Sequence, residues 1–175
     1  QLEDEVHAIA FDADGRAWLC TPGGVGRQSG TGWLFSALPE AQADSGLRLS
    51  GGLAVDDRGN VWVATSDEKL GFFRNGSFES VGVAAGLELA TAWSQRLVAD
   101  PRGDGVWASA VRLPVDDDGS LLAFDGGLLH RRSSGLWDVA SPWDGLGGRD
   151  VVDLAVDRTS GDLLAAVSGG VARLA

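Results

Sequence analysis

Apolar and polar residues alternate in short runs along this chain, and the runs come in pairs. The runs from Val6, Leu49, Ser94 and Val151 each lead to an aspartate: Asp12, Asp56, Asp100 and Asp157. A short Gly-bearing turn follows each one. A second apolar run comes next, carrying Trp18, Trp62 and Trp107 in the first three copies and Leu163-Leu164 in the fourth. Alternation with a period of two marks strands, so each copy predicts two antiparallel strands joined by a tight turn. Helical spacing nowhere rivals this pattern. The best helical candidate, Gly86-Leu87-Glu88-Leu89-Ala90, is short and opens on glycine.

The repeat length selects the fold. It is 44 residues from Asp12 to Asp56, 44 from Asp56 to Asp100 and 57 from Asp100 to Asp157. A period of roughly 40–50 residues with several strands per unit points to an all-β fold, a β-propeller. The expectation is one propeller domain or propeller fragment, with antiparallel four-stranded blades at about 6–48, 49–93, 94–149 and 150–175. In the second unit the strands fall at 53–56 with the residues just before, then 61–65, 70–74 and 77–83. Asn75-Gly76 is a two-residue hairpin signal, because both central residues of that turn take positive φ. The first unit has later strands at 17–21, 24–28 and 32–38. The third carries an insertion near 111–120, then strands at 121–124 and 128–132 joined across Asp125-Gly126-Gly127. The fourth has three strands, the last at 170–174. An unpaired blade edge is an association hazard. Three readings stand open: part or half of a larger ring, a partner on the edge, or a compact four-bladed ring.

Composition narrows the function classes. A chain of 175 residues is long enough to bury a real core. Its net charge of −11 argues against nucleic acid and against anionic membrane surfaces. Solubility is the plain reading of that acidity, and a cationic partner is the alternative. No apolar run reaches the length of a membrane span. Cys20 is the single cysteine, which excludes an intrachain disulfide; its place in an apolar strand predicts a buried, inert thiol. Gln1 is not a natural start, so a leader or a larger N-terminal part is expected to have been removed.

The segment from Trp143 to Leu174, WDGLGGRDVVDLAVDRTSGDLLAAVSGGVARL, resembles the two-component-regulator propeller repeat. LAVDDRGNVWVAT from Leu53, and FDADGRAWLCT with GGVGR from Phe11, are similar to the same pattern. These motifs are shared with other propellers, such as the streptogramin-lyase-like group. The resemblance implies an extracytoplasmic (periplasmic or secreted) sensor or binding region, usually of seven or more blades. This chain shows four units and replaces the repeat's Trp by Leu in the last.

Candidate site residues follow from the repeat register. Five residues before the aligned aspartates stand His7, Gly51, Gln95 and Val152; four before stand Ala8, Gly52, Arg96 and Asp153. These positions lie at the channel mouth of a propeller. His7, Gln95, Arg96 and Asp153 are therefore candidate binding residues, with Arg149, Asp150 and Glu5 nearby. A guanidinium at Arg96 suits a carboxylate ligand, and equally suits a pair with Asp153 across the channel. Trp93, Trp137 and Trp143 fall off the b-strand position, in or near the connections to the next blade. They read either as an aromatic wall or as loop packing. Trp18, Trp62 and Trp107 recur in register and read as core.

No metal or cofactor is expected. The Asp116-Asp117-Asp118 run lacks calcium-loop spacing and reads as a solvated turn. His130, between Leu129 and Arg131-Arg132, reads as a surface residue of an outer strand. The aligned aspartates read as turn residues, since Asp accepts from its own backbone two residues on. The leading expectation is a non-enzymatic module recognising a small ligand or protein partner, with a homodimer or larger parent polypeptide in view. The alternatives are a propeller lyase or hydrolase using His7 and Arg96, and a structural fragment of a larger propeller.

Overall fold

The computed structural model describes residues 5–67, 69–81, 96–110, 127–140, 146, 151–157 and 159–174. Four antiparallel sheets follow one another along the chain. The first is β1 (Ala8–Phe11), β2 (Ala17–Thr21), β3 (Gly24–Ser29) and β4 (Gly32–Ala37), paired in that order. A one-turn helix, α1 (Glu40–Asp44), leads to the second: β5 (Leu49–Val55), β6 (Val61–Thr65), β7 (Leu70–Arg74) and β8 (Ser77–Val81). The third is β9 (Leu97–Ala99), β10 (Val106–Ala110), β11 (Gly127–Arg131) and β12 (Trp137–Ala140). The fourth has three strands, β13 (Val151–Val156), β14 (Leu163–Val167) and β15 (Gly170–Leu174).

The turns explain why the repeat folds this way. Asp12, Asp56, Asp100 and Asp157 each close the turn after the inner strand, accepting from the backbone N–H two residues on through Oδ1. In the first two blades Oδ2 also accepts the indole N–H of the next strand, Trp18 at 3.1 Å and Trp62 at 2.9 Å. One carboxylate thus staples two strands and fixes a Trp rotamer. The Asn75-Gly76 hairpin forms as expected, with φ of 51° and 82°.

The third blade departs from the sequence reading. Its outer hairpin turns at Ser133-Ser134-Gly135, where Arg132 N–H donates to Leu136 O and Gly135, at φ 95°, donates to Arg132 O. The third strand is therefore β11 and the fourth is β12. Asp125-Gly126-Gly127 does not join them, and Trp137 sits on a strand. The glycines misled because two Gly-bearing turn signals flank one apolar run. Residues 111–126, with the insertion and the Asp116–Asp118 run, lie outside the described residues.

Sheets stack face to face in chain order, and three clusters fill the gaps. Ala10, Cys20 and Val25 of the first blade meet Leu53, Val63 and Phe73 of the second. Ala54, Trp62 and Phe72 meet Leu97, Val106 and Leu129 of the third. Val98, Trp107 and Leu128 meet Leu154, Leu163 and Leu174 of the fourth. The residue two before each Asp, Ala in three blades and Val98 in the third, faces forward, and the Ile or Leu three before it faces back. Among the described residues no element of the first blade packs broadly on the fourth, so the four blades form an open arc. Cys20 is fully buried between blades, and burial pushes its thiol up to about 12.

Candidate functional site

The channel-mouth residues come out in part. Gln95, Arg149, Asp150, Trp93 and Trp143 lie outside the described residues. His7 is half-buried; its N–H donates to Cys20 O at 2.8 Å, and its Cβ lies 3.6 Å from where a Cβ on Gly51 would stand. Glu5 is exposed. Arg96 and Asp153 are brought together, Arg96 Nε lying 3.4 Å from Asp153 Oδ1, and both side chains are exposed. Arg96 is anchored through its backbone, whose N–H donates to Ser109 Oγ at 2.9 Å and whose carbonyl accepts from Ser109 N–H at 3.0 Å.

A second set of features lies at the opposite ends of the inner strands, beside the aligned aspartates. There the gaps between blades open into three grooves. The first, of about 600 Å³, lies between blades one and two; the second, about 440 Å³, between two and three; the third, about 340 Å³, between three and four.

The second groove is chemically distinct. Arg58, Arg74, Arg131 and Arg132 all line it, on a chain with 14 basic residues in total. Two of these arginines are accounted for by protein partners. Arg74 Nε donates to Asn60 Oδ1 at 2.7 Å, and its guanidinium lies over the Phe72 ring. Arg132 is bonded to Asp138, and this contact raises its already high affinity for the proton.

Arg131 is different. Its guanidinium carbon lies 5.3 Å from the centre of the Trp137 ring, and its Nε and Nη1 are buried with no hydrogen-bond partner. Burial pushes this guanidinium below its ordinary value. Strand register shows how unusual the position is. Val106 pairs with Arg131 as Val61 pairs with Phe73 and Leu163 with Leu174. An arginine thus stands where the second and fourth blades put Phe73 and Leu174. The residue just before the second strand also differs. It is Asn60 in the second blade and Asp162 in the fourth, each accepting from an arginine of its own third strand. In the third blade it is Gly105, which offers no side-chain acceptor. A Cβ there would lie 1.9 Å from the Arg131 carbonyl oxygen, so no larger residue fits.

His130 corrects the surface expectation. It is buried, stacked on Trp107 with ring centres 4.2 Å apart, and its Nε2 lies 2.9 Å from Asp100 Oδ2 without hydrogen-bond alignment. Its Nδ1 is 3.6 Å from Asp138. It occupies in the third blade the place beside the Asp that an indole N–H takes in the first two, a core role imposed by the register Trp107↔His130. Among the described residues no group of three or more His, Cys, Asp or Glu could hold a metal ion, and no helix is long and apolar enough to cross a membrane.

Solved structures with the same stacking of four-stranded sheets place this arrangement. The fold is a β-propeller. The extracellular domain assigned to the one-component system BT4673 of B. thetaiotaomicron matches 96% of this chain over 21% of its own length, at 16% identity and TM-score 0.60. Catalytically inactive virginiamycin B lyase of Staphylococcus aureus, solved with quinupristin, matches 99% of this chain over 56% of its own, at 10% identity and TM-score 0.57. PorZ, a surface component of the type-IX secretion system of Porphyromonas gingivalis, matches 97% over 19%, at 15% identity and TM-score 0.56. No family model and no curated protein sequence matches. The chain spans between about a fifth and just over half of these three structures. They include an extracellular domain of a one-component system and a lyase, so the fold selects no role.

Sequence reasoning missed Arg131 because its run, Leu128–Arg132, was read as an outer strand with its charges in solvent. One signal was available. In an aligned repeat, a charge at the Phe73 and Leu174 position departs from the core pattern, but finding it requires the hairpin turn of the third blade to be placed correctly.

Proposed function

We propose that this chain is a non-enzymatic, extracytoplasmic binding module that captures a small oxyanion-bearing ligand in the groove between its second and third blades. One observation carries the reading: the Arg131 guanidinium has two buried N–H groups without partners. A buried donor left unsatisfied costs about 1–3 kcal/mol, a cost that an ordered water or a ligand oxygen relieves. Carboxylate, sulfate or phosphate oxygens are the natural complement of a guanidinium. Arg58, Arg74 and Arg132 also line the groove, where four arginines outnumber the two carboxylates, Asp56 and Glu79. Likeness to the extracellular domain of a one-component system supports the extracytoplasmic location and the binding role by analogy.

The test is calorimetric titration with acetate, citrate, sulfate and phosphate at matched ionic strength, on the wild type and on Arg131→Leu. Saturable heat for at least one anion in the wild type, lost in the variant, is expected. The variant without anion should be as stable as the wild type or about 1–2 kcal/mol more stable, because Leu174 shows that leucine suits this register. Absence of anion binding by the wild type, or full binding by Arg131→Leu, refutes the proposal.

A further inference from the structure

The wall that faces Arg131 carries a second exception to the repeat. In the second blade, Glu79 ends the row that runs through Trp62 and Phe72 toward the third blade. The same place holds Leu34 in the first blade and Asp138 in the third. Asp138 is engaged by Arg132. Glu79 is exposed, and among the described residues it makes no hydrogen bond and no ion pair. The other carboxylate of the groove, Asp56, is saturated by four hydrogen bonds from its own blade. Glu79 is thus the carboxylate of this groove left without a partner, as Arg131 is the guanidinium whose buried donors are left without one.

These two charges do not neutralise each other. Arg131 is drawn in under the turn between β11 and β12, with Nη1 and Nη2 lying 3.3 and 3.5 Å from where a Cβ on Gly135 would stand. Its guanidinium rests over Trp137 of its own blade. Glu79 stays on the opposite wall, and no ion pair crosses the gap. A groove of about 440 Å³ holds one small molecule. An anion seated on Arg131 therefore lies in the field of Glu79, and like charge across so short a gap is unfavourable. A molecule with a cationic group at its other end turns that repulsion into attraction.

We infer that the ligand of this groove is a zwitterion: a small amino-carboxylate whose carboxylate meets Arg131 and whose ammonium meets Glu79. The inference rests on the anion reading of the same groove and adds the second charge. Glu79 then sets specificity, because it favours carboxylates that bear an amine and disfavours those that do not.

Calorimetric titration at neutral pH and matched ionic strength tests it, with acetate, propionate and butanoate set against glycine, β-alanine and γ-aminobutyrate. The wild type should bind at least one amino-carboxylate about fivefold more tightly than its plain counterpart, the gain of an ion pair that solvent still reaches. Glu79→Gln should erase that preference from both sides, weakening the amino-carboxylate and tightening the plain carboxylate. A merely structural role for Glu79 would move both series the same way. The substitution falls on an exposed side chain of an outer strand, and circular dichroism checks that the variant folds. Arg131→Leu should lose both series. Plain carboxylates that bind as tightly as their amino counterparts, and are lost in Arg131→Leu, overturn the zwitterion and leave the anion reading standing. A preference that survives Glu79→Gln overturns it as well, because the ammonium then lies elsewhere. If neither series binds, the zwitterion falls, and the sulfate and phosphate titrations decide the anion reading separately.

Discussion

Asp56→Ala should be the costliest single change among the turn aspartates, and the contacts show by how much. The Asp56 carboxylate accepts four hydrogen bonds: from Arg58 N–H at 3.0 Å, Asn60 N–H at 2.8 Å, Asn60 Nδ2 at 2.7 Å and Trp62 Nε1 at 2.9 Å. Asn60 and Trp62 are both buried, so water cannot replace the lost acceptor. Asn60 also holds Arg74, so the loss spreads to the third strand. Hydrogen bonds to a charged group are worth about 1.5–3 kcal/mol each, and bonds within one network are not additive. Counting the two buried side-chain donors fully and the turn amides little gives a loss of about 3–4 kcal/mol. Asp12 makes the same kind of turn, but it accepts three bonds and its turn reaches solvent, so Asp12→Ala should cost about 1–2 kcal/mol. Urea unfolding followed by tryptophan fluorescence measures both. In a thermal melt Asp56→Ala should appear as a fall of about 6–16 °C. Asp56→Asn, which keeps one acceptor, should lie between wild type and alanine. Equal losses for Asp12→Ala and Asp56→Ala would show that the turn alone, and not the buried staple, carries the stabilisation.

Two further outcomes follow from ionisation. The Thr159 backbone N–H and the Ser160 side chain hold Asp157 below the ordinary carboxylate value of 3.8, and the Ser133 side chain does the same for Asp104. A carboxylate depressed in the folded state stabilises above its unfolded value and loses that contribution as pH falls through its folded value. The urea midpoint should therefore drop between pH 4 and pH 3, and a midpoint constant down to pH 3 would refute the assignment. Cys20, with its thiol pushed up to about 12 by burial, should react with a disulfide reagent at pH 8 only as fast as the blades part. Instant labelling of the folded protein would contradict the burial.

The chain's own pattern was sufficient for the repeat, because a blade is a local object. Each Asp-to-Trp staple spans six residues, and the Asn75-Gly76 hairpin needs only its own two residues. Such features are legible wherever period-two alternation and turn chemistry agree, and Trp62 and Cys20 could be assigned to the core on that ground. The strands of the second blade were placed almost to the residue. The third blade was not, because competing glycine turns flank one apolar run and only pairing of β10 with β11 decides between them.

The candidate site belongs to the tertiary structure. Arg131 and Arg132 are neighbours in sequence, yet pleating sends them to different environments. Arg132 meets Asp138, while Arg131 enters the gap between blades beside Trp137. Nothing local separates the two. His130 was likewise invisible as a core residue until stacking placed it between Trp107 and Asp100. The exposure of Ile9 and Phe11 is tertiary in the same sense. In sequence they match Leu53 and Val55, and only the absence of a covering sheet among the described residues distinguishes them. Sequence by itself determined the blades, since strands and turns are set by contacts a few residues long. Which charges are buried, and which apolar faces are left open, was decided by how one sheet meets the next.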